Sequence, residues 1–398
     1  MKRNVVILGS TGSIGVSTLD VIGRHPDRFA CFGLSANTDW QGMLVQCLAF
    51  QPSYAVMADL TASNQLRSAL KGHNSATQVL QSVDALSQLA SDAQVNVVVS
   101  GIVGAAGLLS TLAAVEAGKT VLIANKEPLV MLGDEIVSLA KTTGATLLPL
   151  DSEHNAIFQC LPTQLDSHED NNLLAKGVRR LILTGSGGPF RTKPLSEFAA
   201  ITPEQACAHP NWDMGKKISV DSSTMMNKGL ELIEACALFQ LPPEKIEIVI
   251  HPQSAIHSMV EYVDGSILSQ MGCPDMRTPI AHALGWPDRI ESGVPSLDLI
   301  ALSRLDFSAP DAERFPLLKL STQAAKQGGT MPTILSAANE VAVEAFLNKQ
   351  ISYTEISRLV DNAMQTIAYS PDRCLESVLD VDEQARQVTM KNVIQLAA

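Results

Sequence analysis

Apolar residues in the first part of the chain come in short bursts, rich in β-branched side chains and separated by stretches of helical spacing. Residues 5–8, 30–34, 54–57, 95–99, 120–124 and 145–150 are such bursts. They are too continuous for one face to meet solvent, which predicts mostly parallel strands buried on both sides. With helices between them, residues 1–150 read as a doubly wound α/β domain. Residues 93–115 carry no charge and are long enough to span a bilayer. Gly101, Gly104 and Gly107 instead divide them into a strand, a turn and a helix at about 108–117.

After residue 151 the rhythm changes. Residues 178–184 and 246–250 read as strands, and 259–263 and 266–270, joined by Asp264-Gly265, form a strong hairpin signal. Residues 151–285 are therefore expected to form a central α/β catalytic domain with a mixed sheet, whose outer strand offers an edge to a second subunit. Residues 286–311, rich in proline, serine and aspartate, read as a linker. Helical spacing dominates 312–398, notably 336–349 and 353–368, which predicts a C-terminal helical domain.

The 398 residues are 46% hydrophobic, enough for substantial cores, and the net charge of −12 argues against a nucleic-acid or anionic-membrane partner. A small phosphate in a local pocket is not excluded by it. The seven cysteines are scattered, with no C-x-x-C pair, as expected of free thiols in a reducing compartment. Met1-Lys2-Arg3 precedes an apolar run too short for a secretory signal, so the cytoplasm is the expected location.

Chemistry concentrates where strands end. Gly9-Ser10-Thr11-Gly12-Ser13-Ile14-Gly15 follows the first strand and opens a helix. Backbone amides and a helix N-terminus there suit a pyrophosphate, as in a Rossmann-like dinucleotide site, although the first glycine spacing is one longer than usual. The second strand ends in Ala36-Asn37-Thr38-Asp39. With no acid at the strand end itself this leans toward a phosphorylated nicotinamide cofactor, yet no lysine or arginine is present and Asp39 remains available to a ribose. Asn125-Lys126-Glu127 closes another strand on the ligand side of the sheet, where Lys126 could hold a substrate oxygen.

Asp151-Ser152-Glu153-His154 sets two carboxylates where a buried strand ends, and desolvating them costs several kcal/mol, on the order of a buried unpaired charge, unless a cation compensates. In a continuing strand Asp151 and Glu153 would share one face and reach a single magnesium or manganese ion. A helix cap fits the same residues. In a helix, Asn227, Glu231 and Glu234 share a stripe with Lys228 three before Glu231, a source for a third carboxylate and for phosphate donors. A salt-bridged solvent face has the same spacing. Gly185-Ser186-Gly187-Gly188 suits an amide nest or a plain turn. The stretch from His209 to Gly215, with Trp212 and Met214, reads as a flap. His154, His251 and His257 have no convincing ligand spacing and read as structural or supporting.

These motifs, together with Thr184-Gly185-Ser186-Gly187-Gly188-Pro189-Phe190 and Pro274-Asp275-Met276-Arg277, stand in the order of one family. Over essentially its whole length the chain resembles the 1-deoxy-D-xylulose 5-phosphate reductoisomerases. The resemblance implies a homodimeric enzyme of the methylerythritol phosphate route to isoprenoids, using NADPH and Mg2+ or Mn2+. It implies Asp151, Glu153 and Glu231 as metal ligands. Ser186, Ser222, Asn227 and Lys228 would hold the substrate phosphate, with His209 assisting, and Lys126, Ser152 and Glu153 would contact the sugar backbone. Lys126 and Glu153 are the expected catalytic residues. Thr11, Gly12, Ser13, Ile14, Asn37, Thr38, Asp39, Asn125, Glu127 and Gly215 fall where the family touches NADPH, although 37–39 departs from the glycine-lysine-asparagine version of some members. A semialdehyde dehydrogenase would need an activated cysteine, and none has that context. A dinucleotide-sensing interaction protein would need neither three carboxylates nor a flap.

Overall fold

The structure is a computed structural model describing residues 2–81, 83–162, 172–208, 212 and 215–397. Strands β1 (Arg3–Leu8), β2 (Phe29–Ala36), β3 (Tyr54–Met57), β4 (Gln78–Leu80), β5 (Val97–Ser100), β6 (Thr120–Ile123) and β7 (Thr146–Pro149) form one parallel sheet in the order β4-β3-β2-β1-β5-β6-β7. Between them run α1 (Ser13–Arg24), α2 (Trp40–Phe50), α3 (Leu60–Gly72), α4 (Val83–Ser91), α5 (Leu108–Glu116) and α6 (Glu127–Thr143). The continuous apolar bursts have the expected cause. Val5 and Ile7 join one buried cluster with residues of α1, α2 and α3, while Val6 and Leu8 join another with residues of α4, α5 and α6. β4 was not legible as a burst, being a short edge strand whose Gln78 is exposed.

The chain order reverses between β1 and β5, so a crevice opens there at the strands' C-terminal ends. Helix α7 (Ser152–Cys160) follows β7 directly. A second sheet of β8 (Val178–Gly185), β9 (Ile246–Ile250), β10 (Ile256–Tyr262) and β11 (Ile267–Met271) has the order β11-β10-β8-β9. β10 runs antiparallel to β8 and β11, and β8 parallel to β9, so the predicted hairpin and mixed sheet are both present. Short α8 (Pro203–Ala206) precedes α9 (Lys216–Ser223) and α10 (Met226–Phe239), and α11 (Arg277–Gly285) follows the sheet. Leu181, Leu183 and Val260 of the sheet pack on Ile157 of α7 and on Leu232 and Phe239 of α10.

The expected linker holds a short helix, α12 (Leu299–Leu302), and Ser308 bridges to Ile250 at the end of β9. Beyond it α13 (Pro316–Gln327), α14 (Met331–Leu347), α15 (Tyr353–Thr366) and α16 (Leu375–Ala397) share a core with Val220, Met226, Leu230 and Ile233 of α9 and α10. The packing of α10 on α13 is tight: a Cβ added at Gly229 would lie 2.1 Å from Ser321 Oγ. No described helix is long and apolar enough to cross a membrane.

Candidate active site

The glycine turn after β1 leads into α1 as the sequence predicted. Gly15 fits because a side chain there would collide with the Ser10 backbone, its Cβ 2.4 Å from Ser10 Cα. Gly12, Ser13 and Ile14 line a cavity of about 490 Å³, with Asn125, Lys126, Glu127 and Gly215 also in its wall. Asn125 Nδ2 is a buried donor with no hydrogen-bond partner, while its Oδ1 accepts from Ser100 Oγ at 2.8 Å. A dinucleotide's carbonyl or hydroxyl would satisfy such an atom. Thr11 sits beside this wall. Asn37, Thr38 and Asp39 lie exposed at the end of β2 and outside the cavity lining. Asp39 accepts from Gly42 N at 2.9 Å and caps α2, a local duty its position in the sequence did not reveal.

The same cavity reaches the acidic motif. β7 ends at Pro149, so Asp151 and Glu153 do not share a strand face as the alternation argument expected. Asp151 caps α7 by accepting from Glu153 N at 3.3 Å, and Glu153 stands in the first helical turn. They nonetheless converge with Glu231 of α10, each offering an oxygen, all within 4.8 Å of one another. The stripe on α10 is no solvent face: Lys228 is 4% exposed, and Glu231 and Glu234 are each 1% exposed.

Two ammonium groups share the three carboxylates. Lys126 Nζ donates to Asp151 and lies 3.6 Å from Glu231 Oε1. Lys228 Nζ donates to Glu153 at 2.9 Å and to Glu231, which also accepts from Asn227 Nδ2. Burial alone would push the Glu153 carboxyl up, but the Lys228 ammonium and the hydrogen bonds from Ser152 and Lys228 hold it below its ordinary range. Burial likewise opposes the charge on Lys228, and its two carboxylate partners raise it instead. The three carboxylates and two ammoniums sum to one net negative charge, and the ligand atoms the carboxylates offer are all hard oxygens. They fit a divalent Mg2+ or Mn2+ ion, which would take up that charge and free the lysines for a substrate.

His154 backs this cluster. Its Nε2 lies 2.9 Å from Glu231 O, and its Nδ1 lies 3.5 Å from Asp151 Oδ1 and 3.7 Å from Glu234 Oε2. Its ring stacks on Phe239 with centroids 6.2 Å apart. Asp151, His154 and Glu234 also converge, but burial raises the Glu234 carboxyl and favours its neutral form, a poorer cation ligand.

The phosphate candidates meet through glycine. Lys228 lies over Gly185, where an added Cβ would be 2.8 Å from Lys228 Cε. At Gly188, which has φ of +68°, a Cβ would be 2.7 Å from Ser222 O. The turn after β8 is thus glycine-rich because two side-chain-bearing helices press on it. Ser186, whose Oγ accepts from Gly188 N at 3.2 Å, is brought beside Ser222, Asn227 and Lys228. The corner between α9 and α10 is made by Met225 in a left-handed conformation, φ +62°, uncommon for a side chain of this size.

Of the flap residues, His209 and Met214 lie outside the described residues. Trp212 lines the cavity with its ring 6.0 Å from that of His257. Lys217, Asp221, Ser254, His257, Asp275 and Met276 also line it, and none was singled out as a site residue from sequence. A Lys217–Asp221 pair at helical spacing was the only local signal for two of them. No cysteine contributes to this lining, and burial pushes the thiols of Cys31, Cys47 and Cys236 up to about 12, against a thiolate mechanism.

The sequence and the fold both match those of known proteins. Residues 5–133 match the family model for 1-deoxy-D-xylulose 5-phosphate reductoisomerase, 147–239 that for its C-terminal domain, and 271–388 that for the DXP reductoisomerase C-terminal domain. The 1-deoxy-D-xylulose 5-phosphate reductoisomerase of Cellvibrio japonicus (strain Ueda107) is 56% identical over 389 residues, covering 98% of each chain. That of Stutzerimonas stutzeri (strain A1501) is 56% identical over 384 residues, covering 96% of each. Among solved structures, a DOX-P reductoisomerase in complex with NADPH, fosmidomycin and magnesium superposes with a TM-score of 0.95 at 45% identity, covering 99% of both chains. The Zymomonas mobilis enzyme in complex with NADPH superposes with a TM-score of 0.90 at 47% identity, again over 99% of both. The chain belongs to the 1-deoxy-D-xylulose 5-phosphate reductoisomerase family.

Proposed function

We infer that this chain rearranges and reduces 1-deoxy-D-xylulose 5-phosphate to 2-C-methyl-D-erythritol 4-phosphate, using NADPH and Mg2+ or Mn2+, in the non-mevalonate route to isoprenoid precursors. The observation that carries the reading is the convergence of Asp151, Glu153 and Glu231 in the same cavity whose wall holds the glycine turn. The neighbour bound to NADPH and magnesium supports it.

Asp151, Glu153 and Glu231 are the proposed metal ligands. When bound, the ion supplies Lewis-acid stabilisation of a developing enolate and alkoxide, and NADPH supplies the hydride. Lys126 and Ser152 orient the sugar backbone, and Glu153, hydrogen-bonded by Ser152 Oγ at 2.5 Å, takes part in moving the substrate's hydroxyl proton. Ser186, Ser222, Asn227 and Lys228 grip the phosphate, with His209 assisting. That remote binding energy is available to close the flap that carries Trp212, excluding water during reduction. Thr11 to Ile14 hold the cofactor pyrophosphate, and Asn37, Thr38, Asp39, Asn125, Glu127 and Gly215 complete its site.

The proposed domain division is 1–150, 151–285, a linker over 286–311, and 312–398. We also propose a homodimer through the edge strand β11, where Ile267 and Leu268 are each 51% exposed. The test of activity is NADPH oxidation with 1-deoxy-D-xylulose 5-phosphate, with and without Mn2+, and with a chelator control. Oxidation only with substrate and metal is expected. Oxidation unaffected by chelation would overturn the mechanism, and none under any condition would overturn the function.

A further inference from the structure

Lys217 stands between two groups of proposed site residues and belongs to neither. Its Nζ is 3.2 Å from Glu127 Oε1 and 2.9 Å from Asp221 Oδ2. Glu127 opens α6 on the cofactor wall. Asp221 immediately precedes Ser222 on α9, in the phosphate pocket. One ammonium therefore ties the two halves of the cavity together across elements 90 residues apart.

The link continues away from the cavity. Asp221 Oδ1 accepts from Asn339 Nδ2 at 2.8 Å, and Asn339, on α14, is fully buried. Next to it, Glu340 accepts from Arg386 Nη2 of α16 at 2.7 Å. Glu340 also presses on the loop after β5, where a Cβ added at Gly104 would lie 3.3 Å from Glu340 Oε2. Tyr353 Oη donates to Ser223 O at 2.6 Å, holding the end of α9 from behind. The C-terminal helices give no residue to the described cavity lining, yet they brace the helix that carries Ser222. Charge-assisted bonds of this kind are stronger and more directional than neutral ones, and losing one partner leaves a buried charge unpaired.

We propose that Lys217 is a positioning residue that couples cofactor binding to phosphate binding, by holding Glu127 and the Asp221–Ser222 end of α9 in fixed relation, with Asn339 of the C-terminal domain as its anchor. The proposal rests on the assignment of Glu127 to the cofactor and Ser222 to the phosphate. Coupling of this kind is reciprocal: each ligand tightens the other by the same factor.

The test is steady-state kinetics of the full-length enzyme with Mg2+, varying NADPH at several concentrations of 1-deoxy-D-xylulose 5-phosphate. In the wild type the KM for NADPH should fall as the sugar phosphate rises. In Lys217→Met both KM values should rise about tenfold, the low end of a typical coupling, and the mutual dependence should vanish. Lys217→Arg should restore most of it, and Asn339→Ala, which touches neither ligand, should raise both KM values in the same direction by less. Those two variants carry the test if Lys217→Met does not fold. No mutual dependence in the wild type, or a Lys217→Met effect confined to kcat or to one KM, would overturn the proposal. Glu127→Gln distinguishes the premises: unchanged KM for NADPH would overturn the cofactor assignment together with the coupling. A raised KM there, with Lys217→Met unaffected, would overturn the coupling alone.

Discussion

Around Asp151, Glu153 and Glu231 three carboxylate oxygens lie within 4.8 Å of one another, whereas Glu127 and Asp221 approach the Lys217 ammonium from different elements. Both clusters are largely buried, and both mix carboxylates with lysine. Composition is therefore no guide to what each does. In the first, three carboxylates come close enough for one ion to reach all of them, which suits an ion and a substrate. In the second, only two carboxylates flank a single ammonium that joins separate elements, which makes a strut.

The largest test of this contrast is removal of a proposed ligand charge. Asp151→Asn or Glu231→Gln should lower turnover by about 10²–10³-fold or more, in the range of losing a main electrostatic stabiliser. NADPH affinity, followed by fluorescence titration, should hardly change, and asparagine can still cap α7. Full activity of either variant after metal titration would break the contrast.

A second test sharpens it. Lys228→Met leaves Glu153 and Glu231 facing each other, and should destabilise the metal-free protein by about 3–5 kcal/mol. Mg2+ or Mn2+ should recover much of that loss in a thermal melt, because the ion replaces the missing ammonium. Lys217→Met should also destabilise, with no recovery by metal. Equal recovery in both variants would show that the clusters do not differ in the way described.

The smallest effects concern pH. Burial pushes the Glu127 carboxyl up, but the Lys217 ammonium, a backbone hydrogen bond and Lys126 together outweigh it and hold the group below its ordinary range. Its stabilising contribution is therefore present above the unfolded value of about 4.3 and lost as pH falls through the lower folded value. Glu234 has the opposite sign, being raised by burial. Its cost is full above the folded value and is relieved as pH falls toward about 4.3. Glu127→Gln should thus flatten the acid limb of the stability profile. Glu234→Gln should raise the melting temperature by a few degrees at pH 8, a gain that disappears near pH 4.

What the sequence revealed follows the reach of each interaction. Val5 to Leu8 could be read as a buried strand because both faces of the sheet are covered, and the glycine turn because strand and helix adjoin it. The spacing of Asn227, Glu231 and Glu234 was legible, but the burial of the two glutamates was not, since it comes from α6, α13 and β8 packing around α10. Asp151 was correctly placed at a strand end, but the sequence left a continuing strand and a helix cap both open, because the cap it makes is decided by the helix that follows. Lys217 could not be found at all as a link. Its second partner, Glu127, is brought in by the fold from 90 residues away.

The flush contact of Gly229 with Ser321 bears on how a mutational screen of this enzyme would be read. Gly229 is not part of the cavity lining, yet it lies between Lys228 and Glu231 on the helix that presents both. Even an alanine there must push α10 from α13 or displace Ser321, at about 1–3 kcal/mol for overpacking. Loss-of-function alleles would therefore gather at this inert position as densely as at the acids beside it. A map drawn from such alleles would trace where the scaffold has no clearance, and only the subset retaining the fold would trace the chemistry.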